Sequence, residues 1–375
     1  MSAEMVIPAR QQKPLSTQQL QQQILPKWEK FLGNCSSLLI IINDSTRTTP
    51  TAQILQILLP YIKLLNYQFL VATGTHSTQA DLTKLVGKDF APNRNRIHFH
   101  DALRDDMFYL GKTSLGTEVY LNKLIQKFDK ILVIGSVEPH YFAAFTGGRK
   151  AFLPGTAAYS SIQQNHKLAL HPQAKLANLS ANPVHTDMSQ AAQMLQKDIF
   201  SIQTVGTDKI LAVASGNLQD SFEKAVAAAR KIFLTKLPHQ FSVVVAKVNP
   251  PFSHTFYQAH KALENCKQAL KPNGTFILEA SCRDGVGKND RFWQLLHKFP
   301  DHKQLLVNCS QNYVLGDHKA VKISEFLQNN HLWIISKNMK PSSKIKNLRI
   351  FPKLPQTSKE TNVLIVKNAA LQAII

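Results

Sequence analysis

The chain has 375 residues, enough for two domains that each bury a core, and 44% of them are hydrophobic, which excludes a disordered chain. No apolar run reaches the roughly 18 residues needed to cross a bilayer, and "MSAEMVIPARQQKPLSTQQLQQQ" lacks the apolar stretch of a signal peptide, so a cytoplasmic protein with no membrane partner is expected. A formal charge of +20 attracts phosphates, nucleic acid or anionic metabolites, but the lysines are spread along the chain, which favours a solvated basic surface over nucleic-acid binding.

Taken in chain order, the glutamine-rich stretch reads as a frayed arm or a surface helix. "SLLIII" (37–42) then runs into "NDSTRTTP", followed by the helical periodicity of "TAQILQILLPYIKLL", with Thr49 as N-cap and Pro50 at the first helical position. "YQFLVA" (67–72) runs into "TGTHS" and a short helix, "HFHD" (98–101) reads as a strand with a polar face, and "KILVIG" (130–135) runs into "SVEPHYFAAFTGGRKAFLPG". "KILAVAS" (209–215) precedes the helix "DSFEKAVAAARKIF". This alternation predicts right-handed crossovers and a parallel sheet with helices on both faces. The loops leaving such strands share one edge, where ligands bind.

Near residues 235–240 the pattern restarts: "FSVVVAKV", a helix "SHTFYQAHKALENCKQAL", "GTFILEAS", a helix "KAVKISEFLQNN", "HLWIIS" and "VLIVKN". The expected fold class is therefore α/β, with two α/β domains. Residues 1–237 form the larger, parallel-sheet and cofactor-binding domain, and 238–375 a smaller one, with the site in the cleft between them. The four cysteines (Cys35, Cys266, Cys282, Cys309) show no CxxC pair, which argues against a disulfide framework or a cysteine zinc site and for small buried hydrophobes.

Several side chains could carry chemistry. Asp44 and Arg47 stand where a strand becomes a helix. Arg47 can hold a carboxylate through two parallel hydrogen bonds, or the pair can be a capping box with the arginine on the surface. His76 lies just past a strand end, as a functional imidazole or as a loop histidine bonded to backbone. His98 and His100 share one side of an extended segment, but no third ligand stands nearby in sequence. In "PHYFAAFTGGRKAFLPG" (139–155), Gly147 and Gly148 let the backbone approach a ligand closely and Lys150 follows. This is not the GxxxxGK[ST] phosphate loop, because its first glycine is missing and Ala151 stands where Ser or Thr would bind magnesium. His166, in "SSIQQNH", is a metal ligand or a helix-end histidine. Gln258 and Lys261 share one helix face. "EASCRDGVGKNDRF" (279–292) is a strand-to-helix loop that could close over a site.

Together these pieces resemble the nickel-dependent lactate racemase family, the LarA-like enzymes that use a nickel pincer nucleotide. The matching segments are "NDSTRTTP", "ATGTH", "PHYFAAFTGGRKAFLPG", "SSIQQNH", "NPVHTD", "YQAHK" and "CRDGVG", in the family's order over most of the chain. The most specific check is the step of ten residues from His140 to Lys150 and of sixteen more to His166. The resemblance implies a cofactor, pyridinium-3,5-bisthiocarboxylic acid mononucleotide nickel, bonded to Lys150 through one thio-acyl arm, with His166 as the protein's nickel ligand. Gly147 and Gly148, with the helix start after them, are expected near its phosphate.

The resemblance further implies a racemase or epimerase that inverts the carbinol carbon of a 2-hydroxy acid by hydride transfer to and from the cofactor. His76 and His140 would be the two acid–base groups, and Asp44 would orient its neighbours. Arg47 would hold the substrate carboxylate, with help from Gln258 and Lys261. Expected partners are the substrate and the cofactor-synthesis enzymes, and the expected assembly is a monomer or homodimer. Thr48 replaces a proline that often follows the arginine, and Ser77 stands where a basic residue often follows the histidine. These departures leave open which 2-hydroxy acid or sugar is the substrate. The alternative, from another class, is a cofactor-free α/β protein that binds anionic metabolites.

Overall fold

The computed structural model describes residues 3–7, 13–76, 80–207, 209–341, 344–355 and 362–375; Ser77 lies outside them. The chain divides into two compact units, one built mainly from residues 12–168 and 173–232, the other from residues 169–172 and 233–375 together with the N-terminal strand. The division corrects the expected boundary in two ways. Strand β1 (Ala3–Ile7) pairs in parallel with Asn362–Val366, so the chain starts in the second unit's sheet. Leu234 and Thr235 already pair with Ala373 and Ile374, so the crossover falls at Phe233 and not within 235–240.

The first unit opens with α1 (Thr17–Leu32), the glutamine-rich stretch. It is a helix because Ser16 and Gln19 form a reciprocal capping box and because Leu20, Ile24 and Trp28, at fourfold spacing, are fully buried. Strand β2 (Ser37–Asn43), helix α2 (Thr51–Ile62), strand β3 (Asn66–Ala72) and strand β4 (Ile97–Phe99) follow. A hairpin of β5 (Met107–Lys112) and β6 (Glu118–Asn122) precedes strand β7 (Lys130–Ser136). Helices α3 (Tyr159–Lys167) and α4 (Pro183–Gln193), strands β8 (Asp198–Val205) and β9 (Ala212–Gly216), and helix α5 (Leu218–Phe233) complete the unit.

Its sheet has the order β9-β8-β7-β2-β3-β4, parallel except for β9, an antiparallel edge. Leu38 to Ile42 in β2 are all at most 1% exposed, the unbroken apolar run of a strand covered on both faces. Each such side chain contributes about 1.5–3 kcal/mol by leaving water. Pro50, and not Thr49, is the N-cap residue of α2, and it offers no side-chain cap. The Thr49 hydroxyl instead accepts from Asn43 at 2.7 Å and bonds the Ser136 hydroxyl at 2.8 Å, tying the ends of β2 and β7 together.

The second unit carries a fully parallel sheet. It joins β1, β10 (Phe241–Lys247), β11 (Leu270–Glu279), β12 (His331–Ile335), β13 (Leu348–Phe351) and β14 (Asn362–Val366) in the order β1-β14-β10-β11-β12-β13. Helix α6 (Phe256–Cys266) follows β10, and α7 (Asp317–Asn329) precedes β12. All four cysteines are buried free thiols. No helix among the described residues is long and apolar enough to cross a membrane.

Candidate active site

Strands β2 and β3 pair in parallel with Asn43 opposite Ala72, so the loops that leave them emerge side by side. This register brings together two residues 32 positions apart: His76 Nδ1 lies 2.8 Å from Asp44 Oδ2. Asp44 is only 4% exposed, and its other oxygen accepts from the Thr46 amide at 3.0 Å and from the Thr46 hydroxyl. Burial alone would push the Asp44 carboxyl up. The hydrogen bonds from His76 and Thr46 and the charges of His76 and Arg47 outweigh it and hold the group below the usual carboxylate range. Asp44 thus pairs with His76 and not with Arg47, which is half-buried in the same loop.

The loop after β7 lies on the other side of β2. Its first part is a tight hairpin, with His140 paired to Ala144, and the Ala143 amide donates to His140 Nδ1 at 3.2 Å. Phe142 is the hub of the cluster. Its ring centre lies 4.5 Å from that of His140, 5.1 Å from that of His166, and 5.6 Å from the Lys150 amine. Gly155, at the end of the loop, accepts from the Gly74 amide at 2.9 Å, which joins this loop to the one carrying His76.

Burial shifts both Lys150 and His166 toward their neutral forms. Burial, then the charges of Arg47 and Arg149, lower the Lys150 pKa well below the ordinary lysine value. His166, in the last turn of α3, is lowered to about 3, by burial first and then by the charges of Lys150 and His76, against a backbone hydrogen bond with Ile162. A neutral amine is a nucleophile that can be bonded, and a neutral imidazole is a metal ligand. Among the described residues no group of three His, Cys, Asp or Glu side chains could hold a metal. The buried Lys150 amine could serve as a covalent anchor and the His166 imidazole as a single metal ligand for a group that brings its own further donors.

Gly147 and Gly148 serve the protein's own packing. Both have positive φ, at 83° and 52°, and the Gly148 amide donates to Gln203 Oε1 at 2.9 Å. A Cβ on Gly147 would stand 2.6 Å from Gln203 Oε1 and Val137, and one on Gly148 would stand 2.9 Å from Phe222. The helix after them is a four-residue 3₁₀ turn, Gly148–Ala151. Gly148→Ala is expected to lose about 1–3 kcal/mol from left-handed strain and overpacking, read as a lower melting temperature of the apoprotein.

Sequence reasoning passed over Arg149. Its guanidinium is buried, donates to the carbonyls of Ala143 at 2.9 Å, Gly147 at 3.2 Å and Thr146 at 3.4 Å, and lies 4.3 Å over the Phe222 ring. It folds the loop back on itself and lends positive charge to the surroundings of Lys150; burial lowers its own pKa to about 9. A glycine pair followed by two cations was the only signal, and it does not say which cation turns inward. His98 and His100 both face Asp105, at 2.7 and 3.3 Å, so the polar face of "HFHD" is an internal pairing. Gln258 and Lys261 lie on α6 of the second unit, Gln258 exposed and Lys261 with its amine 4.9 Å over the Phe252 ring. The segment 280–290 is the loop between β11 and the helix Arg291–Lys298.

The fold and the cluster define an α/β protein in which a buried lysine of a strand-end loop, its pKa lowered, shares a cluster with three imidazoles. Residues 4–177 match the family model of the lactate racemase N-terminal domain, and similarity to lactate racemases extends over most of the chain. The lactate racemase of Thermoanaerobacterium thermosaccharolyticum is 26% identical over 364 residues, 94% of this chain and 83% of that protein. The lactate racemase of Lactiplantibacillus plantarum is 29% identical over 332 residues, 84% of this chain and 77% of that protein. Two solved structures share the fold. The lactate racemase apoprotein of T. thermosaccharolyticum matches with a TM-score of 0.85 at 22% identity, over 96% of this chain and 93% of that one. A Thermotoga maritima protein matches with 0.75 at 16%, over 98% and 100%.

Proposed function

We propose that this protein is a racemase or epimerase that interconverts the enantiomers of a 2-hydroxy acid, lactate or a near relative, in the cytoplasm. The observation that carries the reading is the buried Lys150, its pKa lowered, set in one cluster with His166, His76 and His140 in a chain similar to lactate racemases. The chemistry supplied by a bound nickel pincer nucleotide is reversible acceptance of hydride from the carbinol carbon, which passes through a flat 2-oxo acid. Lys150 would hold that group covalently, and His166 would give its nickel an imidazole ligand. The cofactor-synthesis enzymes are then necessary partners.

The remaining steps belong to the chain's own side chains. With Nδ1 turned to Asp44, His76 carries its proton there and presents a bare Nε2 to the substrate hydroxyl, a general base oriented by a carboxylate. His140 is set the other way. Its Nδ1 accepts from the Ala143 amide, so the neutral ring carries its proton on Nε2 and can donate to the carbinol or keto oxygen. Taking up a second proton requires His140 to release the Ala143 contact, which at 3.2 Å is longer than the His76–Asp44 bond of 2.8 Å. Arg47 binds the substrate carboxylate, since Asp44 is engaged by His76.

The test uses protein co-expressed with the cofactor-synthesis enzymes and incubated with L-lactate or D-lactate alone, followed by chiral chromatography. Approach to an equal mixture from both sides is the expected result. Protein that carries nickel and the mass adduct but leaves lactate unchanged would move the substrate to another 2-hydroxy acid, found by the same assay. Absence of both nickel and adduct would overturn the reading and favour the cofactor-free binder of anionic metabolites.

A further inference from the structure

The segment "NPVHTD" (182–187) opens α4, and three of its side chains reach three different parts of the cluster. Asn182, fully buried, accepts from the His185 amide at 3.2 Å as the helix cap while its own amide donates to the Phe142 carbonyl at 2.9 Å. His185 stacks on Phe222, with ring centres 5.9 Å apart, and Phe222 in turn lies under Arg149. Asp187 is the most enclosed: a fully buried carboxylate that accepts from the Thr113 and Thr117 hydroxyls and, at 2.7 Å, from Asn165 Nδ2.

Those three donors come from two places. Thr113 and Thr117 bracket the turn between β5 and β6, and Asn165, also fully buried, is on α3 next to His166. No cation pairs with Asp187 among the described residues, so hydrogen bonds alone compensate its charge. A carboxylate so enclosed is far more demanding of its donors than an amide would be, because each lost bond leaves charge without solvation. Asn165 has a second, longer bond to the Val184 carbonyl at 3.4 Å, and its Oδ1 has no hydrogen bond. The Asp187 contact is thus its principal anchor.

We propose that Asp187 is a positioning residue for the nickel ligand. Through Asn165 it fixes the rotation and axial register of α3, and so the place at which His166 presents its imidazole. The consequence for nickel rests on the function proposed above; the placement of α3 does not.

Two variants test this, Asp187→Ala and the exchange Asp187→Asn with Asn165→Asp, which returns a donor and a carboxylate to the same contact. In the unloaded protein, Asp187→Ala is expected to speed amide hydrogen exchange in Tyr159–Lys167 at least tenfold while β2 and β7 exchange as in the parent. In the loaded protein the adduct mass on Lys150 is retained, but the nickel absorption per adduct takes the form seen in His166→Ala. The exchange variant restores both readouts. Parental exchange in α3, loosening of the whole unit together with α3, or parental nickel absorption per adduct would each overturn the proposal. If Asp187→Ala does not fold, the exchange variant decides alone: it must fold with parental exchange in α3, and failure to do so overturns the proposal. If the parent protein carries neither adduct nor nickel, the function proposed above fails, and the exchange measurement on unloaded protein still decides the role of Asp187.

Discussion

Lys150→Ala is expected to bring lactate interconversion to the assay background and to abolish the mass adduct, while the melting temperature of the apoprotein does not fall. The two effects have one origin. Burial first, then the charges of Arg47 and Arg149, depress the Lys150 pKa well below 10.5, so folding shifts this amine toward its neutral form relative to the unfolded chain. A depressed lysine takes stability from the fold. The loss is complete at pH below the folded pKa, shrinks as pH rises between the folded and unfolded values, and disappears once pH passes 10.5, where neither state holds the proton. Lys150→Met, which keeps the stem and removes the charge, is therefore expected to melt higher than the parent near neutral pH, with the gain fading as pH approaches 10.5. Thermal melts of both proteins across that range check the sign. A variant that melts lower at every pH would mean that Lys150 is a structural cation, and the bonded-amine reading would fail with it.

That opposition between stability and reactivity explains which parts of the site sequence could reveal. The apolar runs at 37–42 and 130–135 were legible because a strand covered on both faces has nothing polar to interrupt it. Their positions then placed "NDSTRTTP", "TGTHS" and the loop at 139–155 on one edge. The pairing of His76 with Asp44 was not legible, since it depends on β2 and β3 being neighbours in register, and no local pattern encodes neighbours. Strand β1 escaped for a related reason: five residues, with Met5 and Val6 exposed, carry little periodic signal, and only their partners at 362–366 make them a strand. Arg149 and Asp187 were missed because charged residues are read as solvated by default. Both are buried, one bonded to carbonyls and the other to hydroxyls and an amide, and among the described residues neither has a charge partner that a sequence scan could have sought.

Asp44→Asn separates orientation from binding. The carboxylate can only accept, which forces the His76 proton onto Nδ1 and leaves Nε2 bare for the substrate. An amide can turn its nitrogen toward Nδ1, which puts the ring proton on Nε2 and removes the base. The expected loss is about 10²–10⁴ in kcat, the usual worth of a positioned general base, with KM for lactate little changed because Arg47, the proposed holder of the substrate carboxylate, is untouched. Stability gives an independent sign. Burial raises the Asp44 pKa, but bonds from His76 and Thr46 and the charges of His76 and Arg47 lower it further, and the net direction is down. A depressed carboxylate adds stability that is fully present above its unfolded pKa of about 3.9 and is lost as pH falls through the lower folded value. The parent should therefore exceed Asp44→Asn in urea melts at pH 7, and the difference should close in strong acid, where both side chains are neutral. A variant with parental kcat, or one whose deficit lies wholly in KM, would show that Asp44 binds substrate and does not set the proton on His76.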